Sequence, residues 1–119
     1  MKIAEAGGIQ AILEGMDKHK EHAGVQESGC RALRNVAANA ENQVKIAQAG
    51  GIKAIVEGMD KHKEHAGVQR QGCWALVNLA TNNAANKASI RDEGGLDLAL
   101  NAYDKHRHAI AQELIGRRR

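Results

Sequence analysis

The amino-acid sequence predicts an all-α protein built from repeated helical units. Residues 3–37 return as residues 46–80 at an offset of 43, and eight of the 35 aligned positions differ. A third, diverging copy begins at Ile90 at an offset of 44. A period of this length is typical of helical units that bury a shared core by stacking on their neighbours.

Two apolar stripes with helical spacing lie within each copy. The first stands at i, i+3, i+4 and i+7 and predicts a middle helix, and the second follows the charged turn DKHKEH and predicts a longer helix. In the first copy the stripes are Ile9, Ile12, Leu13 and Met16, then Val25, Gly29, Ala32, Leu33 and Val36. The second copy repeats them as Ile52, Ile55, Val56 and Met59, then Val68, Gly72, Ala75, Leu76 and Leu79.

A shorter helix is expected before each pair of glycines, over residues 41–49 and 84–93. The pairs Gly50-Gly51 and Gly94-Gly95 supply the backbone freedom of a sharp reversal. Each unit is therefore a short helix, a GG corner, a middle helix, a charged turn and a long helix. We expect one domain over residues 1–119, with units at about 1–40, 41–83 and 84–119, the last one truncated.

The order and length of these elements resemble the armadillo repeat of importin alpha and beta-catenin. The matching segments are NQVKIAQAGGIKAIVEGM at residues 42–59 and VQRQGCWALVNLA at residues 68–80. The resemblance implies a right-handed α-solenoid whose third, long helices line a concave groove. It also implies a protein–protein interaction scaffold that binds an extended peptide along that groove.

The resemblance assigns peptide contacts to three residues. Asn35 and Asn78 match a ladder of asparagines that pairs with a peptide backbone, and Trp74 matches a residue that forms a side-chain pocket. An amide both donates and accepts hydrogen bonds, and i, i+4 spacing places Trp74 and Asn78 on one helix face. Arg31 stands at the Trp position of the first copy, so one aromatic pocket is expected. Packing of Trp74 against a neighbouring unit and internal hydrogen bonds of the asparagines stay open as alternatives.

The differences between the two copies point to the same surface. Four of the eight lie in the long helix outside its apolar stripe, and three of these follow i, i+4 and i+7 on one face. We interpret this face as a partner surface, with tolerance of an exposed surface as the alternative. The four pairs are Glu27/Arg70, Ser28/Gln71, Arg31/Trp74 and Arg34/Val77. Together with the asparagines they favour an acidic or mixed peptide, while Glu27 and Arg31 are also spaced for an intrahelical ion pair.

Composition favours a binding module over other classes. Net charge is +3 and aromatic residues are scarce, so we expect no specific nucleic-acid binding, and weak polyanion binding is a distant alternative. We interpret Arg117–Arg119 as a solvated tail. No segment approaches the ~20 apolar residues of a membrane span, and no signal peptide is evident. We therefore expect a soluble, intracellular protein with no membrane contact, no cofactor and no enzymatic activity.

Histidine pairs and cysteines receive structural interpretations. His19 with His22, and His62 with His65, have i, i+3 spacing that a metal site could use, but each pair lacks a third ligand and has lysine neighbours. We expect a solvated charged turn there, with no metal. Cys30 and Cys73 occupy equivalent apolar positions, where a free thiol behaves as a small buried group.

The ends of the repeat array predict self-association. A solenoid needs about three units and polar caps, and the third unit here is short. We expect exposed apolar residues at both ends and a homo-oligomer, most simply a dimer, formed by end-to-end stacking or helix exchange. A self-assembling structural unit, excised or engineered and without its own ligand, is the main functional alternative. The expected exposed residues are Ile3, Ile9 and Ile12 at one end and Leu98, Leu100, Ile110 and Leu114 at the other.

Overall fold

The computed structural model describes the backbone of residues 7–118 and the side chains of residues 7–106, and all regular structure in this part is α-helical. The prediction of an all-α protein is therefore confirmed, and the two short helices lie within one residue of their predicted bounds. The helices are α1 Gly8–Lys18, α2 Ala23–Val36, α3 Ala40–Gln48, α4 Gly51–Lys61, α5 Ala66–Ala80, α6 Ala84–Asp92 and α7 Gly95–Arg118.

The GG corners lie where the sequence predicts them. Gly50 and Gly94 have φ angles of 92° and 85°, in the left-handed region that favours glycine. The second glycine is required for a different reason: a Cβ on Gly51 would lie 2.3 Å from Cγ2 of Ile46 and 2.9 Å from its carbonyl oxygen. The two glycines thus let the short helix α3 pack directly against the start of α4.

The middle and long helices of each unit pack through the predicted stripes. Met16 lies against Gly29 and Met59 against Gly72, each so close that a Cβ on the glycine would meet the methionine Cγ at 2.5 Å. The buried apolar core runs through all the described helices. It comprises Ile9, Leu13, Met16, Cys30, Leu33, Val36, Ala37, Ile46, Ile52, Ile55, Val56, Met59, Val68, Ala75, Leu76, Leu79, Ile90 and Ala102.

A buried glutamine caps the end of the middle helix in each of the first two units. Nε2 of Gln26 donates to the carbonyl oxygens of Met16 and His19 at 2.9 and 3.0 Å. Gln69 makes the equivalent bonds to Met59 and His62, both at 2.9 Å. These side chains satisfy carbonyl groups that the end of a helix leaves without an intrahelical partner. The apolar pattern does not reveal them, because glutamine interrupts the stripe.

The charged turns stack on one another and are not only solvated caps. Lys61 Nζ lies 2.7 Å from the Glu21 carboxylate, and His62 Nε2 donates to the Lys20 carbonyl oxygen at 2.8 Å. The next unit repeats this arrangement. Lys105 Nζ lies 2.5 Å from Oε2 of Glu64, and His106 Nε2 donates to the Lys63 carbonyl oxygen at 3.1 Å. His22 and His65 instead cap α2 and α5 by accepting from Val25 N and Val68 N.

One expectation about the ends changes. Ile9 is buried, with 5% of its surface exposed, because it belongs to the stripe that packs α1 onto the core. Helix α7 runs from Gly95 to Arg118 and is kinked at His106, where non-helical backbone angles join two helical segments. Leu98 is partly buried and Leu100 is exposed, while Ile3 and the side chains of Ile110 and Leu114 lie outside the described residues.

Candidate functional site

The long helices α2 and α5 make the most extensive interhelical contact of the described chain, and their side-by-side packing places the predicted peptide-binding residues. The sequence predicts seven such residues, and we refer to the surface that carries them as the α2–α5 face. They are Glu27, Arg31, Arg34 and Asn35 on α2 and Arg70, Trp74 and Asn78 on α5.

Arg34 and Trp74 form the centre of the α2–α5 face. The Arg34 guanidinium lies over the indole, with Cζ 4.0 Å from the ring centroid, a distance suited to a cation–π contact. Arg34 Nη1 also donates to Oε1 of Gln71 at 2.9 Å. Trp74 is only half-buried, so the indole both packs against the preceding unit and reaches the surface.

The two asparagines are engaged within the chain. Asn78 Nδ2 donates to the Arg34 carbonyl oxygen at 2.9 Å, a bond from α5 to one of the last carbonyl groups of α2. Oδ1 of Asn35 accepts from Arg34 Nε and Nη2 at 3.1 and 3.0 Å. Asn35 is exposed and Asn78 is half-buried. The internal hydrogen bonds that the sequence left open are therefore present.

The remaining residues of the face carry its charge. Arg31 Nη2 lies 3.4 Å from Oε2 of Glu27, which confirms the predicted intrahelical ion pair. Glu27 lies against α5, because a Cβ on Gly67 would meet its carboxylate at 2.6 Å. Arg70 is half-buried on α5. With Arg31, Arg34 and Arg70 against Glu27, the face carries three positive groups and one negative group.

Three of the positions that distinguish the two repeats meet one another across the repeat boundary. Arg34 of the first unit contacts Gln71 and Trp74 of the second. At the equivalent positions, the second unit has Val77 in place of Arg34, and the first has Ser28 and Arg31 in place of Gln71 and Trp74. The comparison of the two copies singled out these positions as a partner surface, and it did not predict that three of them contact one another between the units.

The cysteines and histidines do not form a reactive or metal-binding cluster among the described residues. Burial raises the pKa of the Cys30 thiol to about 12 and that of Cys73 to about 11, and both cysteines are free. Within residues 7–106, no three His, Cys, Asp or Glu side chains come together as a metal site requires. His62 and His65 are instead used in the turn contact and the helix cap.

A second surface is an apolar groove of about 510 Å³ beside α5, which we call the α5–α7 groove. Cys73, Val77, Leu96, Leu100 and Tyr103 line it, with Lys87 and Arg91 at α6. The sequence predicts exposure of Leu100 but does not reveal the groove, because its walls come from three helices, α5, α6 and α7, whose relative packing no single helix pattern encodes. The described helices include none that combines the length and apolar character needed to cross a lipid bilayer.

Comparison with known proteins gives one short similarity. A 42-residue stretch, 35% of this chain, is 45% identical to Protein aardvark of Dictyostelium discoideum. The chain spans 6% of the length of that protein. No protein-family model and no solved structure matches the chain.

Proposed function

We propose that the chain is a protein–protein interaction scaffold of the armadillo type, a right-handed α-solenoid that binds an extended acidic peptide on the α2–α5 face. The observation that carries this proposal is the Arg34–Trp74 stack at the centre of a face with three arginines and one glutamate. The stacked units, the GG corners and the regular turn contacts support the solenoid.

The chemistry of the face selects the peptide. Arginine donates two parallel hydrogen bonds to a carboxylate, which makes it well suited to acidic side chains. The part of the half-buried Trp74 indole that Arg34 leaves exposed offers an apolar contact for a neighbouring side chain of the peptide. The excess of positive charge on the face disfavours lysine-rich or arginine-rich peptides, because like charges repel across an interface.

The proposed role is binding without catalysis or a cofactor, inside the cell. The raised pKa values of the thiols keep Cys30 and Cys73 protonated at neutral pH, whereas a cysteine nucleophile has to be a thiolate. Two free cysteines also suit a reducing compartment. Partner recognition through arginine and tryptophan agrees with the residue types that dominate protein interfaces.

Fluorescence provides a direct test, because Trp74 is the sole tryptophan of the chain. The probes are fluorescein-labelled ten-residue peptides of alternating glutamate and serine or leucine, with lysine replacing glutamate in the control set. We expect saturable anisotropy and a change in Trp74 emission with the acidic peptides alone. Arg34→Ala should weaken binding by about tenfold, the effect of losing a 1.4 kcal/mol contact.

Arg91→Ala is the matched control, because Arg91 is an exposed arginine on α6 outside the α2–α5 face. It should leave the affinity within about twofold, well below the tenfold step expected for a lost contact. Equal affinity for acidic and lysine peptides, or equal loss in the two arginine variants, contradicts the proposal. Binding of single-stranded DNA as tight as peptide binding, and lost at physiological salt, would indicate the polyanion alternative.

A further inference from the structure

The α5–α7 groove is open at positions that are closed one repeat earlier. Leu96, Leu100 and Tyr103 are 52%, 59% and 45% exposed. Their equivalents at an offset of 44, Ile52, Val56 and Met59, are 4%, 8% and 0% exposed. The same helix face is therefore core in the second unit and surface in the third.

The first two units indicate what closes this face. Met16 is covered by α2 at Gly29, and Met59 is covered by α5 at Gly72. In both cases the cover is the long helix of the same unit, which returns along the middle helix after the charged turn. The α5–α7 groove therefore corresponds to the place that a long helix fills in the first two units.

The chain carries the markers of such a helix after His106. The capping histidines His22 and His65 are followed at the same 43-residue period by His108, and the buried glutamines Gln26 and Gln69 by Gln112. In the sequence, Ile110 and Leu114 also have the i, i+4 spacing of an apolar helix face. The backbone of this segment is helical as part of α7.

The connection to this segment differs from the first two. Four non-helical residues, 19–22, separate α1 from α2, and another four, 62–65, separate α4 from α5. The third turn has lost one residue, so that DKHRHA replaces DKHKEHA, and His106 alone has non-helical angles. A hinge that is too short to reverse the chain favours exchange of the following element between two copies.

We propose that the α5–α7 groove is the docking site for the part of α7 that follows His106 in a second copy of this chain. The exchange is reciprocal, so it forms a symmetric dimer in which each groove receives one helix from the partner. The contact buries the Leu96, Leu100 and Tyr103 surface and the thiol of Cys73 at its edge. It uses a surface other than the α2–α5 face and does not depend on peptide binding.

The oligomeric state of the full chain gives the first test. Sedimentation equilibrium at tens of micromolar protein should yield twice the chain mass of 12.8 kDa. Leu100→Glu places a charge in the groove and should return the mass to that of one chain. Val44→Glu is the matched control, since Val44 is an exposed apolar residue on α3 outside the groove, and it should remain dimeric.

Restoring the length of the turn tests the mechanism. Insertion of one glutamate between Arg107 and His108 restores the length of the DKHKEH turn. The segment after this turn should then reverse and fill the α5–α7 groove of its own chain. The protein should become monomeric and stay helical by circular dichroism. A dimer that persists after the insertion overturns the exchange mechanism. A monomeric parent chain at 100 μM, or a folded Leu100→Glu variant that stays dimeric, overturns the docking site.

Cysteine reactivity provides a readout without any substitution. Iodoacetamide labelling, resolved by peptide mass spectrometry, should slow at Cys73 by at least about tenfold as the protein is raised from nanomolar to tens of micromolar. Cys30, which is buried in the core at every concentration, serves as the internal reference. Labelling of Cys73 that is independent of concentration overturns the proposal, and this holds even where Leu100→Glu fails to fold.

Discussion

The boundary between the first and second units and the surface beyond α5 are built from residues at equivalent repeat positions. The first is closed by contacts within the chain, and the second is open. At the first, the Arg34 guanidinium lies over the Trp74 ring, and Asn78 donates a hydrogen bond to a carbonyl group at the end of α2. Polar contacts therefore join the two units above a buried core. At the second, Val77 stands in the Arg34 position and lines an open apolar groove. The units share a scaffold, and the few differing positions decide whether a surface is closed within the chain or open.

The largest effect is expected from truncating the matched pair Met59 and Tyr103. Met59→Ala should lower the free energy of unfolding by about 2–5 kcal/mol, because it leaves a cavity against Gly72 in the closed core. Tyr103→Ala should lower it by about 0.5 kcal/mol or less where the chain is monomeric, since Tyr103 is already 45% exposed. Urea unfolding at low protein concentration measures both, and equal losses would contradict the difference between the two surfaces.

The buried glutamine caps should give the next largest effect. Gln69→Ala leaves the Met59 and His62 carbonyl groups without their side-chain donor and should cost about 1–3 kcal/mol. Gln48→Ala, at an exposed position in the last turn of α3, is the control and should change stability by less than about 0.5 kcal/mol. A Gln69→Ala loss no greater than that of the control would show that the caps contribute nothing to folding.

The cysteines separate the two surfaces by reactivity. Burial raises the pKa of Cys30 to about 12 and of Cys73 to about 11, against an ordinary value of 9.0. Thiolate is therefore scarce at pH 8, and both cysteines should react with iodoacetamide more slowly than in the urea-unfolded chain, with Cys30 the slower. Rates should rise as pH approaches 11 at Cys73. Faster reaction of Cys30 at low protein concentration would contradict the closed packing of the first boundary.

The smallest effect is expected from the exposed turn pairs. The hydrogen bond from Lys105 lowers the pKa of Glu64 below 4.5, so the folded state holds the carboxylate more readily than the unfolded chain does. The pair therefore adds stability above pH 4.5, and the gain is lost as pH falls through the lowered pKa. Glu64→Gln should lower the Tm slightly at pH 7. The decrease in Tm should be smaller at pH 3, and it should also be smaller at high salt concentration.

Glu57→Gln, an exposed carboxylate on α4, is the control for the turn pair. It should give no such pH-dependent difference. A Glu64→Gln decrease in Tm that is equal at pH 3 and pH 7 would contradict the ion pair as its cause.

Repeated local patterns in the sequence predict most of the architecture. The stripe of Ile52, Val56 and Met59 fixes the buried side of α4, and Gly50-Gly51 fixes the corner before it, because both depend on residues a few positions apart. The sequence also places the seven residues of the α2–α5 face on the two long helices. It does not reveal which of them are already engaged inside the chain.

The engaged residues depend on contacts between units. Arg34 meets Gln71 across 37 residues, Asn78 meets Arg34 across 44, and His62 meets Lys20 across 42. No periodicity within one helix encodes such partners, since they exist only once the helices are stacked. The same applies to the α5–α7 groove, whose walls come from α5, α6 and α7.

Local sequence patterns determine the helices, their corners and the repeating unit, because backbone freedom at glycine and helical spacing of apolar residues act over short distances. The tertiary structure alone decides that Trp74 lies beneath Arg34, that the charged turns join successive units, and that Leu96, Leu100 and Tyr103 stay uncovered. These outcomes are decided by stacking, because each residue becomes buried, paired or exposed according to the helix that its neighbouring unit places beside it.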